Sequence, residues 1–405
     1  MTGKQVLRSL QIRNLLSFGD ATEPLELLPL NVLIGPNGSG KSNLLTVLDL
    51  LHHAPTGLSL PIIKQGGDFG DWLWKGPALP RTATLELRLT NLLTETPIRY
   101  LLSLTAAGGP MAHVVAETIA RDTESPLASP GLFPSDQDLH SYYSCAKGKA
   151  VIFADGQWRD WTPSQFDRTQ SILSQLKDPV GQEELTFLGA TLQCSMVFHR
   201  AWTLGPAAGV RQAQPANLDN DLLRENSENL GLVLNRMRQT AELKRRMLDY
   251  VQILFDGAAD VDVKVLNNTV QVFMEERSLH AGIPASRLSD GTLRWLSLLA
   301  LLLDSRPLAT VVCIEEPELG LHPDLLPKVA ELLVDASQRM QLIVTTHSEI
   351  LVDALTHIPE AVVVCEKENG ATTMRRLERE RLKEWLKKYT LGQLWRKGQI
   401  GGNRW

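Results

Sequence analysis

One eight-residue segment restricts the possible folds of this chain more than any other feature. It reads GPNGSGKS over residues 35–42 and fits the pattern GxxxxGK[ST]. An apolar stretch precedes it and an apolar helical pattern follows it, which is the strand–turn–helix context of a phosphate-binding loop. Glycines let the backbone wrap around phosphate, and the start of the helix adds a favourable dipole. The segment therefore predicts an α/β fold that binds a nucleoside triphosphate.

Two side chains of this segment have specific expected roles. Lys41 should reach the β- and γ-phosphates, and Ser42 should place its hydroxyl on Mg²⁺. The complete set of residues expected to bind the nucleotide here is Asn37, Gly38, Ser39, Gly40, Lys41, Ser42 and Asn43.

Two adjacent carboxylates follow an apolar stretch at 311–314 that is typical of a central buried strand. Ligands of open α/β sheets bind at the carboxyl ends of the strands. We expect Glu315 to hold Mg²⁺, directly or through water, and Glu316 to orient the attacking water. An acidic strand end is also common as a solvated surface feature, but the phosphate loop upstream favours the catalytic interpretation.

Two shorter motifs lie on either side of this acidic strand. The LSDG motif at 288–291 opens an apolar helix, with Ser289 as the cap and Gly291 permitting close approach of another backbone. By itself, Ser-Asp-Gly is also an ordinary helix start. His347 ends the next apolar strand, where it could bind the γ-phosphate and the attacking water or simply pack in a polar rim.

The apolar pattern along the chain indicates an α/β protein. Strands are expected over 5–18, 25–34, 83–90 and 97–105, loops over 106–145, and mostly helices over 165–260. Hairpins should turn at Asp155-Gly156 and Asn267-Asn268, and helices alternate with apolar strands from residue 288, which favours a parallel sheet. The expected segments are 1–110, with the phosphate loop; 111–260, an insertion of a hairpin plus helices; 261–373, the second half of the same domain; and 374–405, a basic tail.

The stretch EEPELGLHP at 315–323, preceded by LSDGT and followed by TTHS, resembles the stand-alone ABC-type ATPases of the RecF, SMC and OLD group in bacteria. The opening LQIRNLLSFGD resembles their N-termini as well. The resemblance implies an ABC-type P-loop domain, a mixed sheet flanked by helices, with a mainly helical insertion. It also implies hydrolysis of ATP with Mg²⁺.

In this group the motif that corresponds to LSDG at 288–291, called the signature motif, acts across a dimer. The resemblance therefore implies a homodimer with two composite ATP sites, in which Ser289 and Gly291 complete the partner's site and residues 318–323 lie between the sites. Glu315 departs from the pattern, since many relatives have Asp there. Gln65 is the best candidate for a further glutamine ligand of Mg²⁺, although its short spacing after the phosphate loop also fits a plain loop residue.

The composition limits the kinds of partner that we expect this protein to bind. A formal charge of −5 does not suggest general nucleic-acid binding, although residues 374–405 carry ten Lys or Arg and three Glu, a charge of +7. That basic tail could pack on the core, bind a protein, or bind nucleic acid. Four widely spaced cysteines indicate reduced thiols, and no apolar stretch is long enough to span a bilayer. We expect a cytoplasmic protein without a membrane partner.

Three functions remain open at this stage. The first is an ATPase that regulates a separate effector, a nuclease or toxin, in anti-phage defence or genome maintenance. The resemblance points to a separate effector because the chain has no room for the Toprim nuclease domain of OLD proteins after residue 366. The second is a RecF-like repair ATPase that binds DNA directly. The third, a transporter subunit, is disfavoured by the EEPELGLHP stretch.

Overall fold

The computed structural model describes residues 5–77, 80–91, 94–123, 141–146, 148–161, 167–200, 202–254, 257–304 and 311–403. Part of the loop expected over 106–145, namely 124–140, lies outside the described residues. So do the last two residues of the basic tail, Arg404 and Trp405.

The strands define three sheets. They are β1 (Leu7–Arg13), β2 (Leu25–Glu26), β3 (Leu30–Ile34), β4 (Thr82–Thr90), β5 (Pro97–Ala106), β6 (Ala112–Arg121), β7 (Ser141–Ala146), β8 (Lys149–Ala154), β9 (Gln157–Asp160), β10 (Met196–His199), β11 (Gln214–Pro215), β12 (Ala258–Leu266), β13 (Thr269–Glu276), β14 (Ile283–Pro284), β15 (Val311–Glu315), β16 (Gln341–Thr345), β17 (Val362–Glu368) and β18 (Ala371–Arg376).

The helices cover or connect these sheets. They are α1 (Lys41–His52), α2 (Leu60–Gln65), α3 (Phe69–Trp72), α4 (Ile172–Gln175), α5 (Glu183–Cys194), α6 (Leu230–Arg238), α7 (Ala241–Leu254), α8 (Asp290–Leu302), α9 (Leu326–Ala336), α10 (Glu349–Ala354), α11 (Arg379–Leu386) and α12 (Leu391–Arg396). Within the described ranges, none of them is both long and apolar enough to cross a membrane.

The central sheet has the strand order β10-β15-β16-β3-β17-β18, and every neighbouring pair is parallel except β17 with β18. β3 and β16 are buried at every position, as expected for parallel strands covered on both faces. Side chains alternate between two cores: Leu33 faces the one that contains α1 and the antiparallel sheet, while Val32 and Ile34 face the one that contains α8, α9 and α12.

A second, antiparallel sheet of eight strands has the order β2-β1-β4-β5-β6-β7-β8-β9. The hairpin expected at Asp155-Gly156 is confirmed, since β8 pairs with β9 directly across it. The hairpin expected at Asn267-Asn268 is confirmed in the third, small sheet, where β12 pairs with β13. Asp155 and Asn267 have φ of 52° and 53°, a conformation that Asp and Asn tolerate better than most residues.

One expectation about the middle of the chain is wrong. Residues 106–145 were expected to be loops, but β6 and β7 lie there, and the Pro- and Ser-rich stretch that follows β6 hides the strand pattern of its Val and Ile residues. The segment 111–260, expected as a hairpin plus helices, contains the β8–β9 hairpin and the helices α4 to α7, and it also supplies β6 and β7 to the antiparallel sheet and β10 to the central sheet. A four-residue strand such as β10 is too short to show a periodic pattern.

Candidate functional site

The expected site residues converge at one edge of the central sheet. β15, β16 and β3 are adjacent and parallel, with Glu315 opposite Thr345 and Thr345 opposite Leu33. Their carboxyl ends therefore meet at the same edge. The phosphate loop begins two residues after Leu33, and His347 follows Thr345 by two residues. This pairing brings together the groups that the sequence places more than 270 positions apart.

The phosphate loop depends on glycines at two close approaches. Gly35 and Gly40 have φ of 149° and 102°. A Cβ atom on Gly35 would lie 2.2 Å from the carbonyl oxygen of Cys365, and one on Gly40 would lie 2.2 Å from Thr372 Oγ1. Gly40 also precedes α1 without any side-chain cap, so the first amide groups of the helix remain available to an anion.

Lys41 is held inside the loop. Its Nζ donates hydrogen bonds to the carbonyl oxygens of Gly35 (2.8 Å) and Pro36 (3.1 Å), and burial lowers its pKa although nearby carboxylates oppose the shift. Ser39 Oγ is buried without a hydrogen-bond partner among the described residues. An unpaired buried hydroxyl is costly, so it points to a missing polar ligand. Asn37 and Gly38 are exposed at the tip of the loop.

Asn43 does not point its amide at the loop. Its Nδ2 donates to Ser17 Oγ at 2.7 Å, and Ser17 also accepts from Thr372 Oγ1 at 2.7 Å. Ser17 and Asn43 line an open cleft of about 590 Å³ beside the phosphate loop. Gly370 and Trp74 line it as well, and Trp74 is half-buried. A flat aromatic ring next to a phosphate site is suited to stacking on a nucleobase.

Ser42 and Glu315 are in direct contact, since the Ser42 hydroxyl donates to Glu315 Oε1. A hydroxyl and a carboxylate are hard oxygen donors of the kind that Mg²⁺ prefers. The residues present therefore fit a magnesium ion that also takes oxygens from a bound triphosphate.

Glu316 has an unusual backbone conformation, with φ of 46°. Its amide donates to Thr345 O at 3.0 Å, and Arg294 NH1 donates to its carbonyl oxygen at 3.2 Å. Such strained residues persist only where their surroundings hold them, and they concentrate at functional sites. The result is a Glu316 carboxylate whose Oε1 lies 3.5 Å from His347 Nε2.

Glu318 fixes the position of His347. Its Oε1 accepts from Thr346 Oγ1 and from the His347 amide, both at 2.7 Å. Partial burial lowers the pKa of His347 below its usual 6.5, and the charge of Lys41 lowers it further. His347 is therefore neutral at physiological pH and presents one donor and one acceptor nitrogen.

The LSDG motif forms the helix start that the sequence predicts. Ser289 is exposed and caps α8, with its Oγ accepting from the Thr292 amide at 3.1 Å. Gly291 permits a close approach, because a Cβ atom there would lie 2.4 Å from the carbonyl oxygen of Gly320. The signature motif and the turn after the acidic strand are thus in contact within one chain.

Gln65 lies at the exposed end of α2, on the wall of an open cleft of about 800 Å³ that Glu315 also lines. Arg200, which lines the same cleft, also contacts Glu315: its Nε lies 3.8 Å from Glu315 Oε2. Arg200 NH2 also donates to Thr46 Oγ1 at 2.7 Å, and NH1 lies 3.5 Å from Asp49 Oδ2. Sequence reasoning missed Arg200, whose only signal is its place after β10.

Arg211 was also missed, although it positions the signature motif. It is 8% exposed and donates to the carbonyl oxygens of Leu204 (2.6 Å) and Leu288 (2.6 Å). It is also paired with Asp290 of the motif. Nothing in the sequence marks an arginine in this Gly- and Pro-containing loop as a buried partner of residues about 80 positions away.

The chain is similar to known proteins in sequence. A family described as "AAA domain, putative AbiEii toxin, Type IV TA system" (AAA_21) matches residues 30–119 and 200–353, more than half of the chain. An 85-residue stretch is 38% identical to the Old nuclease of Escherichia phage P2 and covers 21% of this chain. The match spans only 14% of that nuclease.

The fold is similar to that of solved SMC heads. One is an SMC head bound to the C-winged helix domain of ScpA, with a TM-score of 0.56, 14% identity and coverage of 94% of this chain and 99% of that one. Another, derived from Pyrococcus furiosus, has an extended coiled coil and is bound to the C-terminal domain of ScpA; its TM-score is 0.55 at 11% identity, covering 95% and 99% of the two chains. These likenesses confirm the expected ABC-type fold.

We expect Arg211→Ala to lower the free energy of unfolding by about 2–4 kcal/mol, because it leaves buried carbonyl groups without their charged donor. Arg224→Ala is the matched control, since Arg224 is exposed and its side chain pairs with Glu228 at the surface. Arg224→Ala should lower the free energy of unfolding by less than about 1 kcal/mol. Urea unfolding of both variants measures the difference, and equal losses would contradict the buried role of Arg211.

Proposed function

The chain belongs to the AAA_21 family, "AAA domain, putative AbiEii toxin, Type IV TA system", and from this membership we propose that it is an ATP-driven regulator of a separate effector protein. It is an ATPase of the AAA/ABC type with an SMC-head-like fold. The observation that supports ATP binding and hydrolysis in this proposal is the meeting of the phosphate loop, Glu315, Glu316 and His347 at one sheet edge.

ATP binding is assigned to the phosphate loop and the start of α1. Lys41 exchanges its two carbonyl acceptors for phosphate oxygens, and the buried Ser39 hydroxyl gains a partner. The triphosphate lies against the free amide groups at the start of α1, where the helix dipole favours negative charge. Ser42 and Glu315 are the residues that would hold Mg²⁺, which supplies charge neutralisation on the phosphates when bound.

Hydrolysis is assigned to Glu316 and His347. Water attacks the γ-phosphorus, the bond to the β–γ bridging oxygen breaks, and ADP and phosphate leave. The Glu316 carboxylate orients this water and accepts its proton. Neutral His347 donates a hydrogen bond to the γ-phosphate, and Glu318 holds its backbone in place.

The proposal extends to a homodimer. Ser289 is exposed at the start of α8, where its hydroxyl and the helix amides can face a second chain. Leu319, in the turn that contacts Gly291, is an apolar side chain that is 50% exposed. In the dimer, Ser289 and Gly291 of one chain complete the ATP site that contains Lys41 of the other.

The effector is proposed to be a nuclease or toxin in anti-phage defence or genome maintenance. Two similarities support this assignment. The family description names a putative toxin of a type IV toxin–antitoxin system, and the curated relative is a phage nuclease. Co-purification of a nuclease-like or toxin-like protein with the native chain tests it, whereas recovery of DNA replication proteins would favour a repair role.

Glu316→Gln should bind ATP, lose turnover by about a hundredfold or more, and accumulate as an ATP-bound dimer, because water is no longer activated. Lys41→Ala should weaken ATP binding by about 10–100-fold, since it removes a charge-assisted contact with phosphate. Light scattering with and without ATP, together with phosphate release, measures both effects. A Glu316→Gln protein with normal turnover would exclude Glu316 from the mechanism.

The pH dependence of kcat/KM tests the neutral state of His347. Since burial lowers the pKa of His347 from its usual value, we expect kcat/KM to stay level at slightly alkaline and neutral pH and to fall at acidic pH as His347 gains a proton. His347→Asn, which does not titrate, should be slower but should lose this acid limb. An unchanged acid limb in His347→Asn would assign the titration to another group.

Direct DNA binding is the second candidate function, and α11 is the feature that favours it. Its surface carries basic side chains around Trp385, which is 45% exposed. However, Arg381, Lys383 and Lys387 each lie within 4 Å of a glutamate three positions before them on the chain, so their charge is partly neutralised.

A salt titration of DNA binding, with and without ATP, separates these two functions. A DNA clamp should bind at low salt and lose affinity steeply, with a log–log slope of about −0.9 for each phosphate contact. The partial neutralisation of α11 leads us to expect weak binding with a shallow slope. Tight binding with a steep slope would instead support the DNA clamp, provided that Lys387→Ala makes the slope shallower and Trp385→Ala lowers the affinity.

A further inference from the structure

The last described part of the chain, residues 390–403, contacts both sides of the ATP site, although it lies outside the ranges matched by the family. We call this segment the C-terminal clamp. Its helix α12 packs against α10, which begins two residues after His347. Gly392 fits tightly there, because a Cβ atom on it would lie 2.7 Å from the carbonyl oxygen of Glu349. The Gly392 amide also donates to Asp353 Oδ1 at 3.0 Å.

The other end of the clamp makes a sharp turn through two left-handed glycines, Gly401 and Gly402, with φ of 78° and 74°. Gly402 is buried; its amide donates to Glu366 Oε1 at 2.8 Å, and its carbonyl oxygen accepts from Trp395 Nε1 at 3.0 Å. Both polar groups of Gly402 are therefore satisfied, one by β17 and the other by α12.

This turn reaches the phosphate loop itself. A Cβ atom on Gly402 would lie 3.5 Å from Gly35 Cα and 3.1 Å from Val364 Cγ1. Val364 pairs with Ile34, the residue before the loop, so Gly402 covers the point where the strand ends and the loop begins. A Cβ atom on Gly401 would lie 2.8 Å from the carboxylate of Glu366, the same group that accepts the hydrogen bond of the Gly402 amide.

Two basic residues at the start of the tail, Arg375 and Arg376, make internal contacts, whereas those of α11 lie at the surface. Arg375 NH2 donates to Ile400 O at 2.9 Å, just before the glycine turn. Arg376, which is largely buried, donates to Glu360 O and Asn31 Oδ1, both at 2.7 Å. Of the three roles open to the basic tail from its sequence, these contacts favour packing on the core.

We propose that the C-terminal clamp positions the phosphate loop for ATP. Its backbone covers Gly35, the first residue of the phosphate loop, so a shift of Gly35 displaces the loop backbone that must wrap around the phosphates. Through α12 the clamp also contacts α10, which follows His347. This inference rests on the proposed binding of ATP by the phosphate loop.

The first test compares two left-handed glycines. Gly402→Ala places a methyl group 3.1 Å from Val364 Cγ1 and 3.2 Å from Trp395 Nε1, both tighter than usual, so the turn must shift where it contacts Gly35. Gly156→Ala places a methyl group in the β8–β9 turn, where nothing lies within 4 Å. Both substitutions carry the strain of a left-handed non-glycine residue. We expect the Kd for ATP to rise about tenfold in Gly402→Ala and less than about twofold in Gly156→Ala, as measured by calorimetry on the full chain.

The second test removes the contact without adding volume. Glu366→Ala deletes the acceptor of the Gly402 amide, and Glu366→Gln keeps an acceptor oxygen as the matched control. We expect Glu366→Ala to weaken ATP binding by about threefold to tenfold, which is less than the roughly 10–150-fold that corresponds to loss of one charged hydrogen bond, because this contact acts on ATP only through the phosphate loop. Glu366→Gln should bind ATP nearly as wild type.

Three outcomes decide between the interpretations. If Gly402→Ala and Glu366→Ala lower the unfolding temperature but leave the Kd for ATP unchanged, the clamp is only a packing element and the proposal is overturned. If the Kd rises in both while their controls remain as wild type, the positioning role is supported. If wild type itself does not bind ATP, or Lys41→Ala binds it equally well, the function assigned to the loop fails and the clamp has nothing to position.

Discussion

The parallel pairing of β16 with β15 on one side and β3 on the other is the constraint on which the site depends. It aligns Glu315, Thr345 and Leu33 across three strands, so the next residues of each chain segment emerge side by side. A shift of one residue in either pairing would turn buried side chains to the opposite face of the sheet. Because both faces are packed, the register is fixed, and with it the distances between the phosphate loop, the carboxylates and the histidine.

Contacts between distant parts of the chain then hold the site residues in place at the sheet edge that this strand pairing defines. Glu316 keeps its left-handed backbone because Thr345 and Arg294 bind its amide and carbonyl groups. Trp202 Nε1 donates to the carbonyl oxygen of Glu315 at 3.2 Å, and Arg294 lies over the Trp202 ring at 5.1 Å. Trp202, which follows β10, thus contacts the backbone of Glu315 and the arginine that holds the backbone of Glu316.

The sequence predicts the parts of the site that are local in the chain. The phosphate loop, the acidic strand end and the signature each combine a short motif with its own strand or helix, so residue order suffices to place them. Arg200, Arg211 and Gly402 could not be found this way, because each acts on residues more than 70 positions away. The same limit applies to the middle of the chain, where β6 and β10 are recognisable only from their partners in the sheets.

The position of β3 has a consequence for how the protein folds. β3 ends at residue 34, yet its two partners in the sheet are β16 and β17, which begin at residues 341 and 362. At a synthesis rate of about 5–20 residues per second, β3 waits roughly 15–60 s until its first partner strand in the sheet is made. During that interval an apolar strand has unpaired edges, and pairings of such high contact order form slowly. The strand at the centre of the finished sheet is therefore the segment of the nascent chain that most needs protection from aggregation.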